Sequence, residues 1–237
     1  MRLMAVKLVE QRVPRGDATR QALMKAAEQL FAEKGPSNVT IREIVEKAGQ
    51  KNESALQYHF KNMEGLILAT HRFRDQQIVD ARMAFLEGLE RKTDDPSLRD
   101  VVEVMVRPTF MLCRESSEFR RYIRAFSLML ASGNTSTLAS VRRGSGESDD
   151  RIAVLLRQVL PQLDSEGFER RLNSAIRFIS VSMYSHSHQT NAFQGKVSDL
   201  FFSHLMDTLV GLLSADESKE TLKLSREVAV FEGRSSE

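Results

Sequence analysis

A short segment near the N-terminus carries the polar side chains best suited to contact a nucleic acid. Gln57, Tyr58 and His59 stand side by side in the sequence ALQYHF. A glutamine side chain can form two hydrogen bonds to the N6 and N7 atoms of adenine, and tyrosine and histidine can donate hydrogen bonds to phosphate oxygens. The segment therefore predicts contact with DNA rather than catalysis, provided that a helix presents these side chains to solvent.

The residues before this segment predict a short helix that ends at a glycine. Thr40 and Glu43 have the spacing of a capping box, in which each side chain accepts a hydrogen bond from the other residue's backbone. Gly49 stands where a left-handed backbone commonly ends a helix. Between these signals lies an apolar stripe at helical spacing, formed by Ile41, Ile44, Val45 and Ala48.

A second short helix is predicted to follow, with Asn52 or Ser54 as its cap. Gln57 stands three residues after Ser54, which is the spacing of a second capping box. Leu56 and Phe60 are four residues apart, so they share one face of this helix. Two short helices joined by a tight turn predict a helix-turn-helix, whose second helix enters the DNA major groove.

A longer helix is predicted upstream, from residue 17 to about residue 34. Gly35-Pro36 stops it. Its apolar residues recur with the period of an amphipathic helix, at Leu23, Ala26, Ala27, Leu30 and Phe31. The three helices together predict a compact DNA-binding unit.

Residues 17–68 resemble the N-terminal domain of the tetracycline-repressor (TetR) family of transcriptional regulators. Four sequence elements carry the resemblance, in the order and spacing of the family: AAEQLFAEKG, TIREIVEKAG, ALQYHF and KNMEGLI. The resemblance implies an all-α fold, with a helix-turn-helix domain followed by a helical domain that binds an effector and dimerises. It also implies a homodimer that binds a near-palindromic double-stranded DNA operator.

The resemblance also assigns roles to ten residues of the DNA-binding unit. Those expected to approach bases or phosphates are Thr40, Arg42, Lys51, Asn52, Ser54, Ala55, Gln57, Tyr58, His59 and Lys61. Two positions depart from the family pattern. Gln57 stands where a tyrosine is usual, which changes the expected base readout. Met63 stands where a phosphate-binding Lys or Arg is frequent, so Lys61 is expected to take over that contact.

The remaining sequence predicts helices separated by loops. The chain as a whole is predicted to have four segments. Residues 1–16 read as a flexible basic arm, residues 17–63 as the helix-turn-helix domain, residues 64–215 as the effector-binding and dimerisation domain, and residues 216–237 as a charged tail that frays. A long helix from residue 64 to about residue 92 is expected to link the two domains. Further helices are predicted at about 97–115, 118–131 and 149–163.

The last two long helices, at about 165–189 and 196–214, are apolar over more than one face. They are expected to form a four-helix bundle with a second copy of the chain. The resemblance also places an effector pocket in this domain, for a small and mostly apolar ligand. The candidate lining residues are Met105, Phe110, Met111, Phe126, Met129, Arg177, Phe178, Met183 and Tyr184, although such a stripe is more often core.

Charge and cysteine content agree with this interpretation. The net charge is only +2, but residues 1–62 hold 11 Lys and Arg against 7 Asp and Glu. The positive excess therefore lies at the predicted DNA-binding end. The single cysteine, Cys113, suits a reducing cytoplasm. No apolar run approaches the roughly 18 residues that predict a membrane span.

Other classes of function have weaker support. His186 and His188 are two residues apart on a helix and point away from each other, so they are not expected to share a metal ion. The sequence has no glycine-rich phosphate loop and no nucleophile elbow, so neither a catalytic site nor a cofactor is predicted. The alternatives left open are a helical enzyme and a scaffold protein without sequence-specific DNA binding.

Overall fold

The computed structural model describes residues 15–132 and 146–234 of the chain. The described residues form α-helices and one short 3₁₀ helix at Pro36–Asn38. The α-helices are α1 (Arg15–Lys34), α2 (Ile41–Lys47), α3 (Ser54–Phe60), α4 (Met63–Lys92), α5 (Leu98–Glu115), α6 (Ser117–Ser132), α7 (Glu147–Val159), α8 (Ser165–Ser187), α9 (Gly195–Ser214) and α10 (Lys219–Arg234).

The N-terminal unit forms as its apolar periodicity predicts. The stripe on α1 is buried, and it packs against α2, α3 and the start of α4. The Thr40–Glu43 capping box begins α2, and Gly49 adopts a φ of 68° in the turn that follows this helix. These features orient α3 relative to α1 and leave one face of α3 in solvent.

The second domain is a helical bundle in which α6 lies between the two parts of the molecule. α6 packs against α1 of the DNA-binding unit and also against α5 and α8 of the helical domain. α4 runs from the DNA-binding unit to α5 and α7, and its 30 residues span about 45 Å at 1.5 Å per residue. The two domains therefore share one continuous apolar core rather than meeting through a linker.

Several predicted boundaries need correction. α7 begins at Glu147 rather than at residue 149. It ends at Val159 rather than at residue 163, because Pro161 has no backbone N–H to continue a helix. The tail is helical at Lys219–Arg234 instead of fraying, yet Leu224, Val228 and Phe231 on it are exposed. Residues 1–14 of the predicted basic arm lie outside the described residues, as do residues 133–145, whereas Arg15 and Gly16 belong to α1.

Candidate nucleic-acid interface

The second helix of the helix-turn-helix, α3, is held by two buried side chains. Leu56 is completely buried and Phe60 is 5% exposed, so the face they share is fixed against the core. On the opposite side, Gln57 is exposed and Tyr58 is 84% exposed. α3 therefore presents polar and aromatic groups outward, as the sequence predicts.

The entry to α3 is organised by Asn52. Its Oδ1 accepts the backbone N–H of Ser54 at 2.9 Å. The predicted Ser54–Gln57 capping box does not form, because Ser54 is the first residue of the helix and Glu53, whose side chain caps nothing, takes the N-cap position. The hydroxyl of Ser54 and the side chain of Gln57 are consequently left for an outside partner.

The exit from α3 is a tight backbone contact. A Cβ atom on Gly65 would lie 1.9 Å from the carbonyl oxygen of Phe60, so only glycine fits there. Asn62 Oδ1 accepts the N–H of Gly65 at 2.8 Å and caps α4. Lys61 lies between the helices with a φ of 71°, and its side chain is exposed. This junction fixes the angle between α3 and α4.

The start of α2 carries a network of charged hydrogen bonds. Glu43 accepts the N–H of Thr40 at 2.8 Å and the ammonium of Lys34 at 2.6 Å. The Lys34 hydrogen bond, followed by those from Thr40, lowers the pKa of Glu43 to about 2. Arg42 pairs with Glu46 at 2.9 Å on a very exposed surface. Since such pairs contribute little stability, Arg42 can exchange this partner for a phosphate.

Five of the ten predicted contact residues lie together at the turn between α2 and α3. A shallow depression is lined by Lys51, Asn52, Ser54, Ala55 and Tyr58, together with Gly49 and Gln50. Gln57 lies exposed on the same helix as Tyr58. His59 is half-buried, with its ring centroid 5.0 Å from that of Tyr58. Met63 is half-buried against the core, so Lys61 is the cation available at the exit of α3.

This geometry agrees with the comparison of the chain with known families. Residues 23–70 match the model described as bacterial regulatory proteins of the tetR family. Residues 103–215 match the tetracyclin repressor-like C-terminal domain. The chain belongs to the TetR family. It is accordingly a DNA-binding transcription regulator and not an enzyme.

Solved structures of other regulators, among them TetR-family proteins, share the fold. A transcription regulator from Shewanella sp. PV-4 that is assigned to the family has 17% identity and a TM-score of 0.58, with 83% of this chain and 96% of that chain covered. A TetR-family regulator from Marinobacter aquaeolei VT8 has 19% identity and a TM-score of 0.52, with 81% and 96% covered. The fatty acid degradation regulator FadR from Bacillus halodurans has 15% identity and a TM-score of 0.54, with 85% and 97% covered. No curated protein matches the chain significantly.

Sequence reasoning missed the contacts that attach the DNA-binding unit of this TetR-family chain to its helical domain. Arg74 of α4 binds Glu28 of α1, and both side chains are buried. Phe31 of α1 packs edge-on against Phe126 of α6, with ring centroids 5.7 Å apart. These pairs join residues 46 or more positions apart, so no local sequence pattern could have indicated them.

The helical domain encloses a cavity of about 340 Å³ between α4, α5, α6, α7 and α8. Tyr122 of α6 lies in its wall, and the Tyr122 hydroxyl oxygen is 2.6 Å from Nδ1 of the buried His71. Burial lowers the pKa of His71 to about 4, so this imidazole is neutral near pH 7. Most of the remaining wall is apolar, as in small-molecule sites.

Only part of the predicted pocket lines this cavity. Met105 and Met183 do, whereas the other seven candidates lie elsewhere in the domain. Phe110 packs against Phe193 and Phe202, and Phe126 faces α1. Met111, Met129 and Phe178 pack on the core, Arg177 donates to the carbonyl of Ala131, and Tyr184 stacks edge-on with His188. The predicted lining and this cavity therefore share only Met105 and Met183, because an apolar stripe does not reveal which of its residues face other helices.

Neither a metal-binding cluster nor an apolar helix of membrane-spanning length occurs in residues 15–132 and 146–234. No group of three or more His, Cys, Asp or Glu side chains in these ranges could hold a metal ion. None of the helices in the same ranges is both long and apolar enough to cross a membrane.

Proposed function

We propose that this TetR-family chain is a homodimeric repressor that binds a near-palindromic operator and is released from it by a small, mostly apolar ligand. The observation that carries the proposal is the exposed face of α3. There Gln57 and Tyr58 project outward from a helix anchored by Leu56 and Phe60. Gln57 and its neighbours would read base edges, and Lys61 would hold a phosphate.

The dimer is proposed to form through α8 and α9. Val181 on α8 is 46% exposed, and Val197 and Leu200 on α9 are each 71% exposed. Apolar side chains that are this exposed on two adjacent helices suit a second copy of the same surface. A twofold dimer would then place its two α3 helices in successive major grooves, about 34–36 Å apart.

The ligand is proposed to act through α6. Tyr122 and Phe126 are one helical turn apart on α6, and Tyr122 lines the cavity while Phe126 contacts Phe31 of α1. A ligand that shifts α6 would therefore move α1 and the α3 helix packed on it. Since ligand and operator would favour different arrangements of α6, each would weaken the binding of the other by the same factor.

The cytoplasm is the proposed location of this regulator. Cys113 is completely buried, and burial raises the pKa of its thiol, so the side chain stays protonated. A buried, protonated thiol behaves as a small apolar group in the core. This state suits a reducing compartment, which is also where an operator would be found.

The proposal is tested by selecting duplexes from a random DNA pool with the purified full-length protein. The expected result is a near-palindromic consensus whose half-sites are about 10 base pairs apart, bound by two copies of the chain as determined by native mass measurement. An asymmetric consensus bound by one copy would contradict the dimer. The absence of any enriched sequence would contradict sequence-specific DNA binding.

A further inference from the structure

The cavity wall carries three hydroxyl groups that form no hydrogen bond within the part of the chain that the structure describes. They belong to Thr109 of α5, Ser127 of α6 and Ser180 of α8, and none of them bonds to a described residue. Hydroxyls in helices commonly bond to the carbonyl four residues earlier, as Thr70 does here at 2.8 Å. Ser127 is only 3% exposed, so its side chain lies deep in the wall and not at the outer surface of the domain. An unpaired hydroxyl inside a mostly apolar cavity indicates a ligand with polar atoms of its own.

The charged residues of the wall are mainly acidic. Arg82 is the one basic side chain among the described lining residues, against the carboxylates of Asp75, Asp149, Asp150 and Glu169. The guanidinium of Arg82 is paired with Asp149. His71, behind Tyr122, adds no positive charge near neutral pH because its pKa is lowered to about 4.

Asp150 contributes a carboxylate to the cavity wall. Its carboxylate is exposed and has no ion pair or hydrogen bond to any described residue. It lies in the first turn of α7, where the helix end supplies roughly half a positive charge. The full negative charge of the Asp150 carboxylate is therefore larger than the partial positive charge of the helix end. Asp75 and Glu169 lie in the same wall, and the carboxylate of Glu169 pairs with Arg157 at 3.8 Å.

We infer that the effector is a cation, an apolar amine or ammonium, whose charged group lies near Asp150 and whose donors reach the free hydroxyls. This inference rests on the proposed function, since it names the ligand class of the same cavity. An ammonium group donates hydrogen bonds and accepts none, which matches hydroxyl and carboxylate oxygens. A carboxylate ligand would instead meet like charges at this end of the site. The apolar wall would hold the hydrocarbon part of the ligand.

The test compares three probes of equal chain length below their micelle-forming concentrations: decylammonium, 1-decanol and decanoate. Each is titrated against the full-length protein, with thermal stability as the first measurement and displacement of the selected duplex as the second. Decylammonium is expected to raise the melting temperature in a concentration-dependent way and to bind at least tenfold more tightly than decanoate. Equal or tighter binding of decanoate, or no stabilisation by decylammonium, would overturn the inference.

Two variants locate the binding site of the charged group. Asp150→Asn is expected to weaken decylammonium at least threefold and to leave 1-decanol unchanged, whereas Asp94→Asn, on an exposed loop, is the matched control. Ser127→Ala should also weaken decylammonium, which gives a second test if Asp150→Asn is poorly folded. Equal affinity of the wild type and both variants for decylammonium would overturn the assignment to this wall.

The two measurements separate this inference from the proposed function. If decylammonium binds selectively but does not displace the duplex, the ligand class stands and release by ligand fails. If the protein binds no duplex at all, operator binding fails, and the thermal-stability series still decides the ligand class.

Discussion

Arg74 of α4 holds Glu28 of α1 through two hydrogen bonds of 2.7 Å each, and both side chains are buried. Glu118 of α6 lies 3.7 Å from the same guanidinium. One arginine thus connects the DNA-binding unit, the long helix and the helix that lines the cavity. This pair is the most buried ionic contact between the two domains among the described residues.

Removing one partner of this pair should strongly destabilise the protein. Arg74→Met leaves the Glu28 carboxylate buried and unpaired, which costs about 3–5 kcal/mol in the free energy of unfolding. Glu28→Gln should cost less, because Arg74 keeps Glu118. Urea denaturation measures both, with Arg91→Met on the exposed end of α4 as the control, expected within about 0.5 kcal/mol of the wild type. Similar losses for Arg74→Met and Arg91→Met would show that the buried pair does not stabilise the fold.

The junction between α3 and α4 should tolerate only glycine at position 65. Gly65→Ala drives a Cβ against the carbonyl of Phe60, and relief of this clash should cost about 1–3 kcal/mol and misorient α3. Gly88→Ala, in the same helix with open space around it, should instead stabilise the protein by about 0.5–1 kcal/mol. Thermal unfolding and operator affinity are the measurements. If Gly65→Ala has the same melting temperature and the same operator affinity as wild type, position 65 does not require glycine.

His71 should make the protein less stable in mild acid. Its pKa is about 4 in the folded protein and about 6.5 when unfolded, so the unfolded chain binds the additional proton first. The stabilisation is therefore complete above pH 6.5 and is lost as the pH falls from 6.5 to 4, by at most about 1.4 kcal/mol per pH unit. Burial lowers the pKa of His186 with the same sign, so wild type must be compared with a variant.

Replacement of His71 by glutamine isolates this effect. His71→Gln keeps a hydrogen-bonding partner for Tyr122 but cannot take up a proton in this range. The free energy of unfolding, measured in urea at several pH values between 7 and 5, should fall less steeply for the variant. Parallel pH profiles would mean that His71 is not held neutral by its surroundings.

Lys61 should contribute affinity without sequence preference. Lys61→Ala is expected to weaken binding to all duplexes alike and to reduce the slope of log affinity against log salt by about one unit. Lys92→Ala, at the opposite end of α4, should leave the slope unchanged. Fluorescence anisotropy between 50 and 200 mM salt measures both. An equal slope for Lys61→Ala and wild type would exclude a phosphate contact at this position.

Local signals were sufficient to predict most helices of the fold. The Thr40–Glu43 box and Gly49 define α2 as the structure has it, because capping and turn preferences act within a few residues. The prediction failed at the tail, where α10 forms although nearly all its described side chains are at least partly exposed. Composition there suggested fraying, but the intrinsic helix propensity of the residues was underestimated.

Contacts between distant helices could not be predicted in the same way. Phe110 and Met105 lie on one helix with the same apolar character, yet only Met105 lines the cavity. Which residue faces a neighbour and which faces a cavity depends on how the helices cross. The same limit applies to His71 and Tyr122, which are 51 residues apart and meet only in the folded chain.

The central claim, that the exposed face of α3 reads DNA bases, is tested most directly at Gln57. Affinities of wild type and Gln57→Ala are measured for the selected duplex and for every single base-pair change in both half-sites. The variant is predicted to lose about 1–3 kcal/mol of discrimination at one symmetric pair of positions and to keep it elsewhere. Unchanged affinity and unchanged discrimination at every position would contradict the claim.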